Sequence, residues 1–406
     1  MDDNSTSIQA SFFDYDQDGD LDMYLLNHAV DPVKELSKRI EEYHYSKEIG
    51  DKIYENIEGH FTEIKIDVGI NQSELGDGLG VAVGDLNNDN RSDIYVCNDF
   101  LGRDYLYNNM GGGIFKESAL ESMSDIDNDG WQDIFVLDMR SSSNYGRKTN
   151  MASMNPKAFN IMVQVGGHYQ YMRNTLQLNN GNGTFSDIAP MAGVASTDWS
   201  WTPLFVDLDN DGFKDLVVTN GMRKNTNNKD YDNYRKTRID LERRKRKADL
   251  RTLVKEILSK VPSEKTVNLV YKNIDGLNFE KKNADWGINL PSYSNGAAYA
   301  DLDNDGDMDL VVNNIDDVAH VYRNNATELT GNYFLNIKLK GKPSNIDGIG
   351  SKIMIQSGGQ KQFLEQQVTR GYQSSVDYTL HFGVGQAKTI DLVQVTWPDG
   401  KVSELE

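Results

Sequence analysis

Five times along the chain, a run of four mostly apolar residues follows directly on a dense polar patch: Met23-Tyr-Leu-Leu26, Ile94-Tyr-Val-Cys97, Ile134-Phe-Val-Leu137, Leu216-Val-Val-Thr219 and Leu310-Val-Val-Asn313. Runs this short, rich in β-branched and aromatic residues and bounded by turn formers, read as buried strands rather than helices. A further strand precedes the patch where the pattern is clearest, at 79–84, 203–206 and 296–300. A third strand follows and ends on Asn56, Asn109, Asn179, Asn273 or Asn324. A Gly-containing turn then leads to a fourth strand marked by Phe61, Phe115, Phe185 and Phe279 in the first four units.

Four antiparallel strands per unit describe the blade of a β-propeller. The patches begin 71, 40, 82 and 94 residues apart, and the excess over a minimal blade of about 40 residues requires insertions. All three insertions fall between the second and third strands, so they emerge on one face. The patterns at 31–50 and 225–260 predict helices, and 141–173 is rich in Met and aromatic residues. Only nine residues separate Phe115 from Asp125, which predicts a shortened first strand in the third blade. Alternation at 335–339 and 392–397 predicts a small antiparallel β domain. The expected fold is therefore all-β, with a propeller of five visible blades at 1–325 and a second domain at 330–406. Because the first patch begins within a few residues of Met1, upstream sequence carrying an export signal and further blade strands is expected.

The polar patches share one design over nine positions. Positions 1, 3, 5 and 9 are Asp14, Asp16, Asp18 and Asp22 in the first loop, and Asp85, Asn87, Asp89 and Asp93 in the second. They are Asp125, Asp127, Asp129 and Asp133 in the third, Asp207, Asp209, Asp211 and Asp215 in the fourth, and Asp301, Asp303, Asp305 and Asp309 in the fifth. Oxygen donors at this spacing, with Gly or Asn at position 6 where the chain turns sharply, suit a hard cation, and Ca²⁺ above all. Up to five structural Ca²⁺ ions are expected. Position 12, where a helix-loop-helix site needs a bidentate Glu, is Leu25, Val96, Val136, Val218 or Val312, which excludes that motif. Position 7 varies among Asp20, Arg91, Trp131, Phe213 and Asp307, as fits a backbone carbonyl ligand.

Charge follows from the same loops. Every ligand position but Asn87 is aspartate, and five divalent ions would move the net charge of −20 to about −10. The acidity argues against nucleic acid and anionic membrane surfaces as partners. The single cysteine, Cys97, rules out a disulfide framework and a Cys-based zinc site, and reads as a buried small hydrophobe. No stretch reaches the roughly 20 apolar residues of a membrane-spanning helix.

The five loops and their strands resemble the VCBS/FG-GAP family of repeats, whose β-propellers carry Ca²⁺ loops, as in integrin α-subunit heads. The likeness runs from about Ser7 to Asn325. The segments at 332–341, 344–352, 367–375, 380–385 and 393–400 resemble the ASPIC/UnbV domain, which follows such propellers in the cartilage acidic protein group and in exported bacterial proteins. The stretches 150–174 and 197–201 look like Bacteroidetes-type envelope proteins of this class. The resemblance implies an extracytoplasmic place in the cell envelope or outside it, binding of a polymer or partner, and no chemistry.

Other features are weaker. A pair of carboxylates could serve a polysaccharide hydrolase or lyase, but each obvious Asp cluster is already committed to a loop. His28, His44, His60, His168, His320 and His381 show no catalytic spacing. Gly348-Ile-Gly-Ser-Lys352 lacks the spacing of a phosphate loop and reads as a turn. The basic run 243–247 is placed in a helix with Asp240, Glu242 and Asp249 nearby, as a solvated face or a dock for an acidic partner. Trp199 and Trp201 are expected on one side of a strand, and Met151, Met154, Met162 and Met172 as insertion packing. The expected function is a non-enzymatic, Ca²⁺-stabilised binding scaffold for a glycan or protein, without nucleic acid and with a possible envelope-associated partner. Alternatives are a polysaccharide hydrolase or lyase and an adhesion or assembly protein.

Overall fold

The computed structural model describes residues 6–28, 50–64, 69–70, 78–98, 104–117, 123–150, 160, 163–164, 171–244 and 249–405. Its strands form small antiparallel sheets, of which four have the four-stranded order expected of a blade. Blade 1 is built from Thr6–Phe13, Asp22–His28, Lys52–Ile57 and His60–Glu63, and blade 2 from Gly78–Gly84, Asp93–Asn98, Tyr105–Asn109 and Phe115–Glu117. Blade 3 opens with only Met123–Ser124, the shortening its spacing requires, followed by Asp133–Val136, Thr175–Asn179 and Phe185–Asp187. Blade 4 has Ser200–Val206, Asp215–Asn220, Leu269–Asn273 and Phe279–Lys281, and blade 5 has three strands, Ser294–Ala300, Asp309–Asn314 and His320–Tyr322.

Register is the same in every blade. The residue before position 1 of the Asp loop pairs with the aspartate at position 9: Phe13 with Asp22, Gly84 with Asp93, Ser124 with Asp133, Val206 with Asp215 and Ala300 with Asp309. Each loop is thus the turn of a hairpin. First strands shift register near their start, and Pro203 is tolerated inside a strand because it sits at that shift.

Strand alternation divides the core into seams between neighbouring blades. In blade 2, Ile94 and Val96 face Phe13, Leu26 and Ile53 of blade 1, whereas Tyr95 faces the other way, towards Ile134 of blade 3. In blade 4, Leu216 and Val218 join Phe135 and Leu176 of blade 3, while Val217 joins Leu310 and Val312 of blade 5. Fully buried second strands, such as Asp215–Asn220, follow from having a packed blade on both sides. Cys97 is half-buried against the seam of blades 2 and 3 rather than deep in it.

A hydrogen-bond relay crosses the same seams. The Asn ending each third strand gives its backbone N–H to the position-9 aspartate of its own blade, at 2.8 Å in all five blades. From blade 2 onward its side-chain amide also reaches the preceding blade's loop: Asn109 to the Tyr15 carbonyl, Asn179 to Leu86, Asn273 to Ile126 and Asn324 to Leu208. A second series joins the loops themselves. Gln17, Asn88 and Asn128 at position 4 donate to the position-6 carbonyls of Asn90, Gly130 and Gly212 in the next loop.

Second-to-third-strand connections leave from the blade ends opposite the Asp loops, because strands alternate in direction. The 225–260 insertion forms two helices, α2 (Lys229–Arg243) and α3 (Leu250–Ser259), after the short α1 (Asn144–Asn150) of the preceding insertion. Asn228 caps α2 by accepting the Asp230 and Tyr231 amides, and Asp249 caps α3 through Thr252. Asn225 donates to Asn150 at 2.8 Å, joining the two insertions. Of the basic run, Arg243 ends α2 and Arg244 caps it, and 245–247, on which the rest of the expected helical face falls, lie outside the described residues. The 31–49 part of the first insertion and Met151, Met154 and Met162 also lie outside them. Trp199 precedes the strand that contains Trp201, so the two do not share a strand face; Trp201 donates to the Gly221 carbonyl and packs on Tyr372 at 4.9 Å.

The C-terminal region has a pair of strands, Tyr333–Ile337 with Leu380–Gly385, and a sheet ordered Gln360–Glu365, Lys352–Ser357, Leu392–Thr396, Val402–Leu405 around Ile353, Ile355, Phe382 and Val395. It covers the ends of the blades that carry the Asp loops. Ser344 donates to Gly19, Phe363 lies over Gly130, the Gly385 N–H donates to the Asn210 carbonyl, and Phe334 lies over Gly306. A Cβ on Gly306 would come within 1.7 Å of the Phe334 ring, and its φ of +93° already favours glycine. The Gly371–Tyr372 turn reaches first strands of two blades, accepting from Gln9 and donating to Thr202.

Replacing the buried Asn273 by alanine strands the Ile126 and Lys214 carbonyls and the Gly276 N–H. Loss of about 3 kcal/mol is expected, against about 1 kcal/mol for the half-buried Asn324→Ala. Urea midpoints with an unchanged m-value measure both, and equal small losses would refute the relay's contribution.

Candidate metal centres and the face that covers them

Each loop is folded by its own carboxylates before any ion is considered. Position 4 takes a left-handed backbone, with φ of +67° at Gln17, +56° at Asn88, +63° at Asn128, +59° at Asn210 and +61° at Asn304. Position 6 does so again, which is why Gly recurs there and Asn90 is its one replacement. The position-1 carboxylate accepts the position-6 amide at 2.6–3.1 Å in all five loops. Position 5 accepts the position-7 amide, as Asp18 does from Asp20 at 3.0 Å and Asp129 from Trp131 at 2.8 Å.

Position 9 differs from the other three. One oxygen accepts the position-2 amide of its own loop, at 3.1 Å for Asp22 and 2.9 Å for Asp215, and the other accepts the Asn amide of the third strand. Asp22, Asp93, Asp133, Asp215 and Asp309 therefore organise backbone as well as adding charge.

Three carboxylates converge to within 4.8 Å of one another in four loops: Asp14, Asp16 and Asp18; Asp125, Asp127 and Asp133; Asp207, Asp209 and Asp215; Asp301, Asp303 and Asp309. Asp22, Asp129, Asp211 and Asp305 stand outside these groups. Among the described residues, Asp85, Asn87, Asp89 and Asp93 of the second loop form no such group.

A hard cation fits the four convergent loops. Buried oxygens Oδ1 of Asp14, Oδ1 of Asp125 and Oδ1 of Asp209 have no hydrogen-bond partner, so each is a carboxylate oxygen left for a ligand. Burial pushes Asp14 and Asp125 up to about 6, Asp22 and Asp93 to about 7, and Asp133 and Asp207 to about 8. Asp215 is raised well above the carboxylate range, by burial first and by Asp207 and Asp209 next. Carboxylates crowded in a poorly solvated turn resist ionisation, and a divalent cation is what would restore it.

Protein cations approach the loops too. Lys272 pairs with Asp209 and, at 2.7 Å, with Asp211, and Arg323 lies 2.7 Å from Asp303. Both engage positions 3 and 5 and leave position 1 alone. Buried Lys214 donates to Asn128 in the neighbouring loop at 3.0 Å. Of the histidines, His381 touches a loop: its Nε2 lies 2.6 Å from Asn210 Oδ1 and its Nδ1 2.8 Å from Asn336 Oδ1, and loss of solvent lowers its pKa to about 4. No spacing in the sequence announces that contact. Gly348-Ile-Gly-Ser-Lys352 is a turn, with Ser351 N–H donating to the Gly348 carbonyl.

Two family models match the chain: an FG-GAP-like repeat over residues 125–218 and the ASPIC and UnbV domain over residues 341–406. The repeat match holds the third and fourth loops. No curated protein matches the chain. Among solved structures it is similar to an Agrocybe aegerita lectin described as recognising non-reducing terminal N-acetylglucosamine, at 14% identity and TM-score 0.36, covering 93% of this chain and 85% of that one. It is also similar to the V. cholerae biofilm matrix protein Bap1, at 12% identity and TM-score 0.33, covering 99% of this chain and 59% of that one. Likenesses this distant do not bear on what the chain binds.

Protons and cations compete for these carboxylates, and the sign is fixed by the raised values. A carboxylate raised from about 4 to 6–8 stabilises the fold fully below pH 4 and loses that contribution as pH rises through its folded value. His381, lowered, acts oppositely between pH 6.5 and 4, so the clean window lies above pH 6.5. In excess chelator the melting temperature should fall from pH 6.5 to 8.5, and millimolar Ca²⁺ should raise it and flatten the slope. A chelated protein whose melting ignores both pH and Ca²⁺ would contradict the fit.

Proposed function

We propose that this chain, which carries an FG-GAP-like repeat and an ASPIC/UnbV domain, is an extracytoplasmic binding scaffold without catalytic chemistry, in which Ca²⁺ holds the loops and the opposite face recognises a protein partner. The observation that carries it is the set of four carboxylate triads with partnerless buried oxygens at Asp14, Asp125 and Asp209. Asp14, Asp16 and Asp18 in the first loop, and the carboxylates at positions 1, 3 and 9 in the third, fourth and fifth loops, would hold the ions, with the position-9 aspartates also fixing the turn. Hard-ion loops of this kind load where Ca²⁺ is millimolar, which supports a place outside the cytoplasm. No helix among the described residues is long and apolar enough to cross a membrane.

The Asp-loop face is covered by the C-terminal strands, so recognition is assigned to the insertions. On α3, Leu253 and Ile257 pack with Tyr231 and Val261, while Leu250, Val254 and Leu258 line the solvent-side edge of the same apolar face, 65%, 51% and 59% exposed. Spacing of four puts the exposed three on one stripe. Exposed Arg251 and Lys255 flank it, and Arg243 ends the neighbouring helix. An apolar ridge edged by cations suits a protein surface with an apolar groove and acidic rim better than a sugar, which needs aromatic platforms and polar donors.

Changing Leu250, Val254 and Leu258 together to serine tests the assignment. Wild type should retain a protein from envelope fractions that the variant loses, with Ca²⁺-dependent melting unchanged and no retention on a glycan array. Glycan retention that survives the triple change, or turnover of a polysaccharide in the presence of Ca²⁺, would overturn it.

A further inference from the structure

The second loop departs from the other four at position 3, at position 7 and in what meets position 1. Position 3 is Asn87, an amide, and its Oδ1 accepts the Asp89 N–H at 2.9 Å. Position 7 is Arg91, whose guanidinium pairs with Asp89 at position 5 while its Nε donates to the Asn109 carbonyl at 2.8 Å. Position 1, Asp85, is met by an ammonium: Lys352 Nζ lies 2.5 Å from Asp85 Oδ2 and 2.8 Å from Asn88 Oδ1 at position 4. The three loop carboxylates then face two positive groups, with the Glu365 carboxyl as a fourth acid beside Asp85, where a loop with four aspartates and no basic partner stands at −4.

Lys352 is not a chance surface contact. It opens the strand Lys352–Ser357 and pairs across the sheet with Glu365, whose Oε2 accepts the Asp85 N–H at 3.1 Å. Asp85 is 3% exposed and Glu365 4%, so the ammonium enters a buried acidic pocket from the C-terminal sheet. Lys272 and Arg323, by contrast, meet positions 3 and 5 of the fourth and fifth loops, each pairing with one triad member, Asp209 or Asp303, and leave position 1 alone while the three carboxylates still converge. A lysine at position 1 and a divalent ion in the same turn are mutually exclusive on electrostatic grounds.

We infer that the second loop is not a metal site, and that Lys352 of the C-terminal domain is its resident cation, making this loop the electrostatic lock between the domain and the blades. The inference rests on the metal reading of the other four loops for its contrast, but Lys352 and Asp85 are coupled whether or not those loops bind Ca²⁺.

Ion counting by native mass spectrometry and melting in excess chelator test the two separately. Wild type with Ca²⁺ should hold no more than four ions, Asp85→Asn should leave the count unchanged, and Asp125→Asn should lower it by one. In chelator, Lys352→Met should lower the melting temperature by about 2–4 °C, Lys352→Arg should restore most of it, and Asp85→Asn should cost less in the Lys352→Met background than in wild type. A fifth ion lost on Asp85→Asn, or additive effects of the two changes in chelator, would overturn the inference and leave the scaffold reading standing. Absence of any bound ion with the chelator coupling intact would sink the scaffold's Ca²⁺ dependence and leave the Lys352 lock in place.

Discussion

Everything in the blades hangs on one buried carboxylate per repeat. The aspartate at position 9 accepts a backbone N–H from the start of its own loop with one oxygen and from the third-strand Asn with the other. It thereby fixes the turn between the first two strands and the register of the third. Because the same Asn extends its side chain to the preceding blade, a single acid sets geometry within one sheet and, through its partner, between two. Neutral residues of similar size lack four acceptor lone pairs and would leave one of these amides unpaired.

Such an arrangement concentrates negative charge. Two carboxylates within 4.8 Å repel by about 3 kcal/mol or more at an effective dielectric of 20, and each triad holds three such pairs. Raised proton affinities at Asp133 and Asp207 are the local response. Divalent ions are the proposed remedy in the first, third, fourth and fifth loops, and Arg91 with Lys352 the proposed remedy in the second. The C-terminal region belongs to this solution as much as to any separate task, since it lays Ser344, Lys352, Phe363, Gly385 and Phe334 over the five loops in turn.

With the Asp-loop face covered, the proposed recognition surface is the opposite one. Antiparallel alternation sends the insertions to the other face, where the second and third are joined through Asn150 and Asn225. The two ends of the blades are thus divided between the covered Asp loops and the insertions, a division that follows from strand direction.

How much of this was legible depended on distance along the chain. Strand runs, Asp loops, the Asn and Phe markers, the shortened third blade and the helical character of 225–260 all follow from patterns a few residues long, because strand period, turn stereochemistry and oxygen-donor spacing are local properties. Asn87 was visible as a departure within the second loop, though not what it meant, and Arg91 read only as one of five varied residues at position 7. Other features came only from packing: the end of α2 at Arg243, the separation of Trp199 from Trp201, and the reach of Asn273 to Ile126 across 147 positions. The use of position 9 for backbone was hidden for the same reason, since its second amide comes from another strand. Lys352 lies 267 positions from Asp85, and no periodicity links residues so far apart; their meeting was decided by how the C-terminal sheet seats on the blades.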